Sequence, residues 1–186
     1  MSPSRIIIIR HAEKPTKPGD EPAIAGIAEN GSCDKKSLTP RGWQRAGALV
    51  RFFCPLHPPP GFGLLPSIIY AAGAKTKDDS KRPTQTVQPL ADLMQSQHVP
   101  FIESFGKDDL QAAMTEALTR NGIVLMAWEH HRIPDLAALL HPVPATPDAW
   151  PDDRFDVLWV FDHSADGWAF SQIAQRLLNG DDDTVI

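Results

Sequence analysis

Apolar and polar positions alternate along this chain in runs of two characters. Ile6-Ile7-Ile8-Ile9, within Arg5–Arg10, is a β-branched apolar run. It fits a strand buried on both faces of a parallel sheet. Residues 12–37 are rich in Pro, Gly, Asn and charge and read as a long loop. Thr39-Pro40 then opens a helix, because threonine is a good N-cap and proline at the first helical position lacks only an orphan N–H. Trp43, Ala46, Leu49, Val50 and Phe53 follow at helical spacing, and Pro55 stops the run. Residues 55–66 hold five prolines and can only be a connection.

The second half repeats this grammar. A short strand is expected over 68–72, a polar loop over 73–81, and a helix over 82–97 with Val87, Leu90 and Met94 on one face. A third strand fits 99–102. Asp108 or Asp109 caps the next helix, with Leu110, Met114, Ala117 and Leu118 inward and Gly122 as its C′ stop. Ile123–Trp128 is a fourth buried strand, followed by a helix over 131–140 and a proline-rich loop over 142–153. Residues 155–162 and 168–174 flank Asp166-Gly167, a pair that favours a tight hairpin. Strands alternating with helices imply a three-layer α/β/α fold whose mixed sheet is mostly parallel. One domain spanning residues 1–186 accounts for the length.

Composition narrows the function. Hydrophobic residues are 42% and charged residues 22%, as in a globular chain. A formal charge of −5 excludes a broadly basic surface for nucleic acid. No window reaches the roughly 20 apolar residues of a membrane span. The isoleucine run is too short for a signal peptide, so a cytoplasmic protein is expected. Cys33 and Cys54 form neither a CxxC pair nor a zinc spacing. The 18 prolines are about twice the usual share of roughly 5%, and the loops they fill are expected to shape substrate access. Residues 148–186 hold nine acids and two basic residues; residues 1–147 hold sixteen basic residues and fourteen acids. The acidity therefore belongs to the last hairpin and the Asp181-Asp182-Asp183 tail, read as serving solubility.

In open parallel sheets ligands bind at the carboxyl ends of the strands. There this sequence carries Arg10, His11, Glu13 and Lys14 after strand one, Arg82 at the start of a helix after strand two, and Glu129, His130 and His131 after strand four. Arginine forks and helix N-termini at one edge suit a small, highly charged anion, with phosphate the best candidate. Neighbouring arginines keep a histidine there neutral. No carboxylate cluster for magnesium stands near these residues, and neither a metal nor a cofactor is expected.

Four segments carry a resemblance. Ile8-Ile9-Arg10-His11-Ala12-Glu13-Lys14 resembles the Arg-His-Gly region of the histidine phosphatase superfamily, with Ala12 in place of the usual glycine. Leu38-Thr39-Pro40-Arg41-Gly42 resembles the entry to that family's first helix. Arg82-Pro83-Thr84-Gln85-Thr86 resembles its Arg-Xaa-Xaa-Gln-Thr motif, and Val124–His130 resembles the strand that delivers its second histidine. The resemblance implies a phosphoglycerate mutase-like fold and a metal-independent phosphatase. His11 would be the nucleophile that becomes phosphohistidine, Arg10 and Arg82 the phosphate clamps, and His130 the second pocket histidine. His131 stands where glycine often follows that histidine. The general acid is open: Glu103 at the end of strand three leads, with Glu129 and Asp135 behind it.

The expected substrate is a small phosphorylated molecule or a phosphoprotein, including phosphohistidine. A phosphoglycerate-mutase-type phosphotransferase and a catalytically weak phosphoanion-binding protein are the alternatives. The short chain between strands three and four leaves the site open to water and favours hydrolysis. A metal-binding protein using His130, His131, His141 and Asp135 is weaker, because their spacing gives no strong ligand motif.

Overall fold

The isoleucine run sits at the centre of the sheet. In the computed structural model, residues 2–142 and 144–186 are described; Met1, and Val143 inside the expected loop 142–153, lie outside them. Strand β1 (Arg5–Arg10) pairs in parallel with β4 (Ile123–Trp128) on one side and antiparallel with β5 (Val157–Ser164) on the other. Strands β2 (Ile68–Ala71) and β3 (Phe101–Ile102) extend the parallel half, and β6 (Gly167–Ala174) extends the antiparallel half. The sheet order is β3-β2-β4-β1-β5-β6.

The period of two along β1 divides the core. Ile7 and Ile9 pack with Leu49 and Phe53 of α1 (Pro40–Phe53) and with Val87, Leu90 and Met94 of α2 (Arg82–Gln95). Ile6 and Ile8 pack with Met114 and Ala117 of α3 (Leu110–Ala117) and with Ile133 and Leu136 of α4 (Ile133–Ala137). The result is the expected α/β/α sandwich. All four isoleucines are fully buried, each a gain of about 1.5–3 kcal/mol relative to exposure. Trp128, Trp150, Trp159 and Trp168 are buried in the second of these layers, with Ile6 and Ile8, so they pack the core rather than form a stacking site.

Some expected boundaries move. The third strand keeps only two paired residues, because β2 offers it only Ile69 and Tyr70 as partners. Asp109 stands at the N-cap of α3, but its carboxylate accepts from the Gly106 N–H instead of capping the helix. The helix ends at Ala117, so Gly122 is not its C′ residue; with φ +77° it makes the turn into β4. The helix expected over 131–140 is a 3₁₀ turn, His130–Arg132, followed by the short α4. No helix among the described residues is long and apolar enough to cross a membrane.

Candidate active site

Parallel pairing of β1 with β4 brings two of the sequence's candidate segments together. Arg10 lies opposite Trp128, and the His11 N–H donates to the Trp128 carbonyl at 2.9 Å. Glu129 and His130 therefore emerge beside His11. The third segment arrives through α2. Thr86 accepts from the Ala12 N–H at 2.8 Å and donates back to the Arg82 carbonyl. Gln85 accepts from the Leu38 N–H and donates to Ser37 and Glu29. In the Arg-Xaa-Xaa-Gln-Thr segment, Gln85 and Thr86 are thus pins that set Arg82 against the end of β1.

The fourth segment is a packing joint. The Thr39 side chain caps α1 by accepting from the Gly42 N–H, and the Thr39 N–H donates to the Glu13 carbonyl. A Cβ on Gly42 would lie 2.8 Å from that same carbonyl oxygen. Only glycine lets the helix approach the turn after His11 so closely.

His11 is 1% exposed. Its Nδ1 lies 2.7 Å from the Ala12 carbonyl, which can only accept, so Nδ1 carries the hydrogen and Nε2 holds the lone pair. Burial, and then the charge of Arg82, holds the imidazole well below its ordinary pKa, with Arg10 adding to the effect. The ring is neutral at physiological pH.

Around it stand buried polar nitrogens with no hydrogen-bond partner among the described residues: Nε and Nη2 of Arg10, Nε of Arg82 and Nδ1 of His130. Leaving such groups dry and unpaired costs on the order of 1–3 kcal/mol each, more when charged. Arg10 is held by its third nitrogen, Nη1, which donates to the carbonyls of Pro151 and Arg154. Burial lowers Arg10 to about 10, and it remains a cation. Arg82 is likewise lowered by burial, with Glu129 opposing. His130 lies edge-on to His11, ring centroids 6.5 Å apart. Burial, then Arg10, brings its pKa down to about 4.

A cavity of about 740 Å³ opens over this group. His11, Lys14, Arg82, Glu129, His130 and His131 line it. Arg10 lies beneath, against the Phe155 ring. His131 is exposed and stacks on His130 at 3.8 Å. Glu129, His130 and His131 are the trio among the described residues whose ligand atoms, within 4.8 Å of one another, could attract a cation; Nε2 of His130 already has a partner in Asp152.

The structure does not bring Glu103 to this group. Glu103 lines a separate cavity of about 240 Å³ with Glu29 and Lys81, and the two cavities share Gly73. Glu103 directly follows β3, which is the edge strand, with β2 and β4 between it and β1. Asp135 is on α4, in an ion pair with Arg132, and lines neither cavity. Glu13 pairs with Arg45 and Arg41.

Sequence reasoning did not single out Asp152 or Phe155. Asp152 falls in the expected proline-rich loop and Phe155 at the start of the expected strand, and both lie before β5. Because β5 runs antiparallel beside β1, its beginning lies at the carboxyl end of β1, next to Arg10. A neighbour assignment for the last hairpin would have revealed them.

Fold and pocket together define a three-layer α/β protein whose strand ends carry a cavity lined by basic side chains. No family model matches the chain, and no curated protein sequence does. Among solved structures it is similar to SixA from Agrobacterium tumefaciens, a candidate phosphohistidine phosphatase, at 18% identity over 92% of this chain and 97% of the other, with a TM-score of 0.45. It is also similar to the product of the open reading frame Rv3214 from Mycobacterium tuberculosis, at 14% identity over 92% and 96% of the two chains, with a TM-score of 0.46.

Proposed function

We propose that this chain is a histidine-phosphatase-type hydrolase that cleaves phosphomonoesters through a covalent phosphohistidine on His11. The observation that carries the reading is the set of unpartnered buried nitrogens on Arg10, Arg82 and His130 beside a neutral, buried His11. A phosphoryl group satisfies those nitrogens with its oxygens and presents phosphorus to Nε2.

The steps balance as follows. Nε2 of His11 attacks phosphorus, a P–N bond forms, and the P–O bond to the leaving group breaks. Arg10 and Arg82 stabilise charge on the equatorial oxygens. The leaving oxygen takes a proton from a carboxylic acid. Glu129 suits this role better than Glu103, because it lines the same cavity as His11 and no hydrogen bond or ion pair ties it elsewhere among the described residues. Water then attacks phosphorus, returning its proton to Glu129, and the P–N bond breaks with its electron pair going back to Nε2. The cavity volume exceeds one phosphate several-fold and admits a phosphorylated small molecule or side chain.

Hydrolysis of an aryl phosphate, with and without a chelator, tests the reading. Chelator-resistant turnover that His11→Ala abolishes is the expected result. Full activity in His11→Ala overturns it.

A further inference from the structure

Asp152 touches His130 on the side of the ring away from the unpartnered Nδ1. Its Oδ1 lies 2.5 Å from Nε2 of His130. The segment that carries it is firmly held: the carbonyls of Pro151 and Arg154 accept from Arg10, and the Trp150 indole is buried and donates to the Arg154 carbonyl. Asp152 is thus presented by neighbours on both sides, although its own side chain is largely exposed.

We infer that Asp152 is the positioning residue of His130: its carboxylate fixes the Nε2–H tautomer and stabilises the imidazolium that forms when a phosphoryl oxygen binds at Nδ1. The inference rests on the phosphate-site reading above. The logic is a proton inventory. An ionised carboxylate only accepts, so Nε2 carries a hydrogen whenever Asp152 is bound to it. In the neutral ring Nδ1 then bears a lone pair, which repels a phosphoryl oxygen. An anion can be held at Nδ1 only if that nitrogen gains a proton as well. The bond formed is Nδ1–H, and the proton comes from solvent or from the substrate monoanion.

The surroundings agree. Arg10, Lys14 and His131 disfavour the imidazolium, His11 faces it edge-on, and Glu129 precedes it; Asp152 is the group that hydrogen-bonds it and favours its charge. The hydrogen bond from His130, then Lys14, keeps the Asp152 carboxyl below its ordinary range, so it is ionised and suited to orient rather than to donate. A carboxylate that fixes a catalytic imidazole in this way is a recurrent device.

Sulfate is the probe, because it stays a dianion through the neutral range and cannot supply the proton itself. Calorimetric titration at pH 6 in two buffers of different ionisation enthalpy counts the protons taken up. The expected result is uptake of most of one proton per sulfate by the wild type, none in His130→Gln, and less than half in Asp152→Asn, with affinity about tenfold weaker for each unit by which the His130 pKa falls. Asp152→Ala should match Asp152→Asn, and thermal midpoints confirm that both are folded. Unchanged uptake in Asp152→Asn overturns the inference, as does tighter sulfate binding, which would make Asp152 a competitor for the site. A wild type that binds sulfate without taking up a proton overturns it too. A wild type that binds no sulfate overturns the phosphate site itself.

Discussion

The guanidinium carbon of Arg10 lies 3.8 Å above the centroid of the Phe155 ring. That ring also stands 6.3 Å from the His11 ring, so one aromatic side chain supports both the proposed clamp and the proposed nucleophile. Cation–π contacts of this kind contribute about 0.5–2 kcal/mol. We expect Phe155→Ala to raise KM for a small phosphomonoester by roughly 2- to 30-fold. Phe155→Tyr, which keeps the ring face, should recover most of the loss. Steady-state kinetics on the two variants check this.

Arg45 is the second support. It is buried, and its guanidinium bridges Glu13, two residues beyond His11, to Asp181 in the C-terminal tail. The acidic tail is therefore not only a solubilising surface; one of its three aspartates locks the first helix to the site. Arg45→Ala leaves Glu13 and Asp181 to the more exposed Arg41 alone and should cost up to about 3–5 kcal/mol in urea denaturation.

The same tail sets an acid limit. Burial pushes the Asp181 carboxyl up, but hydrogen bonds from Arg45 and the Leu178 and Leu177 amides outweigh it and hold it at about 2. A folded pKa below the unfolded one gives stability that is present above about pH 4 and lost as pH falls toward 2. Asp181→Asn should lower stability at neutral pH and flatten that acid slope. Thermal midpoints across pH 2–6 measure it.

Histidine burial acts at higher pH. His11 and His130 both have folded pKa values below 6.5, so the unfolded chain binds more protons as pH drops through 6.5. Stability should begin to fall at that point and continue falling toward pH 4. Sulfate should oppose the loss, because it favours protonated His130. Midpoints recorded between pH 4 and 7, with and without sulfate, test the sign.

Glu129 as the acid has its own test. Glu129→Gln should slow poor leaving groups by about 10²–10⁴ and good ones far less. Equal losses on both would reassign the acid, and Glu103→Gln measured alongside identifies which carboxyl responds.

Much of this was legible in the chain. The four-isoleucine run located the centre of the sheet because a β-branched run with no polar face can only be buried on both sides. Thr39-Pro40, Pro55 and Asp166-Gly167 marked boundaries through backbone chemistry that does not depend on neighbours. Arg10, His11, Arg82 and His130 could be singled out as candidates because each sits at the end or start of a recognisable element. What failed depended on contacts between distant segments. Glu103 was favoured from its position after a strand, but that strand is the edge of the sheet, with β2 and β4 between it and β1, and Glu103 lines the neighbouring cavity. Asp152 and Phe155 have no local signature, and they reach the site only because β5 runs antiparallel beside β1. The Arg45–Asp181 bridge joins residues 136 positions apart and no pattern announces it.

The central claim is that phosphate passes through His11. Rapid acid-free quenching of the enzyme during turnover of a radiolabelled phosphomonoester, followed by peptide mapping, tests it most directly. The expected result is label on the peptide containing His11, stable in alkali, lost in acid, and missing from His11→Ala. Turnover with no trapped label in a burst, or label on any other residue, would contradict it.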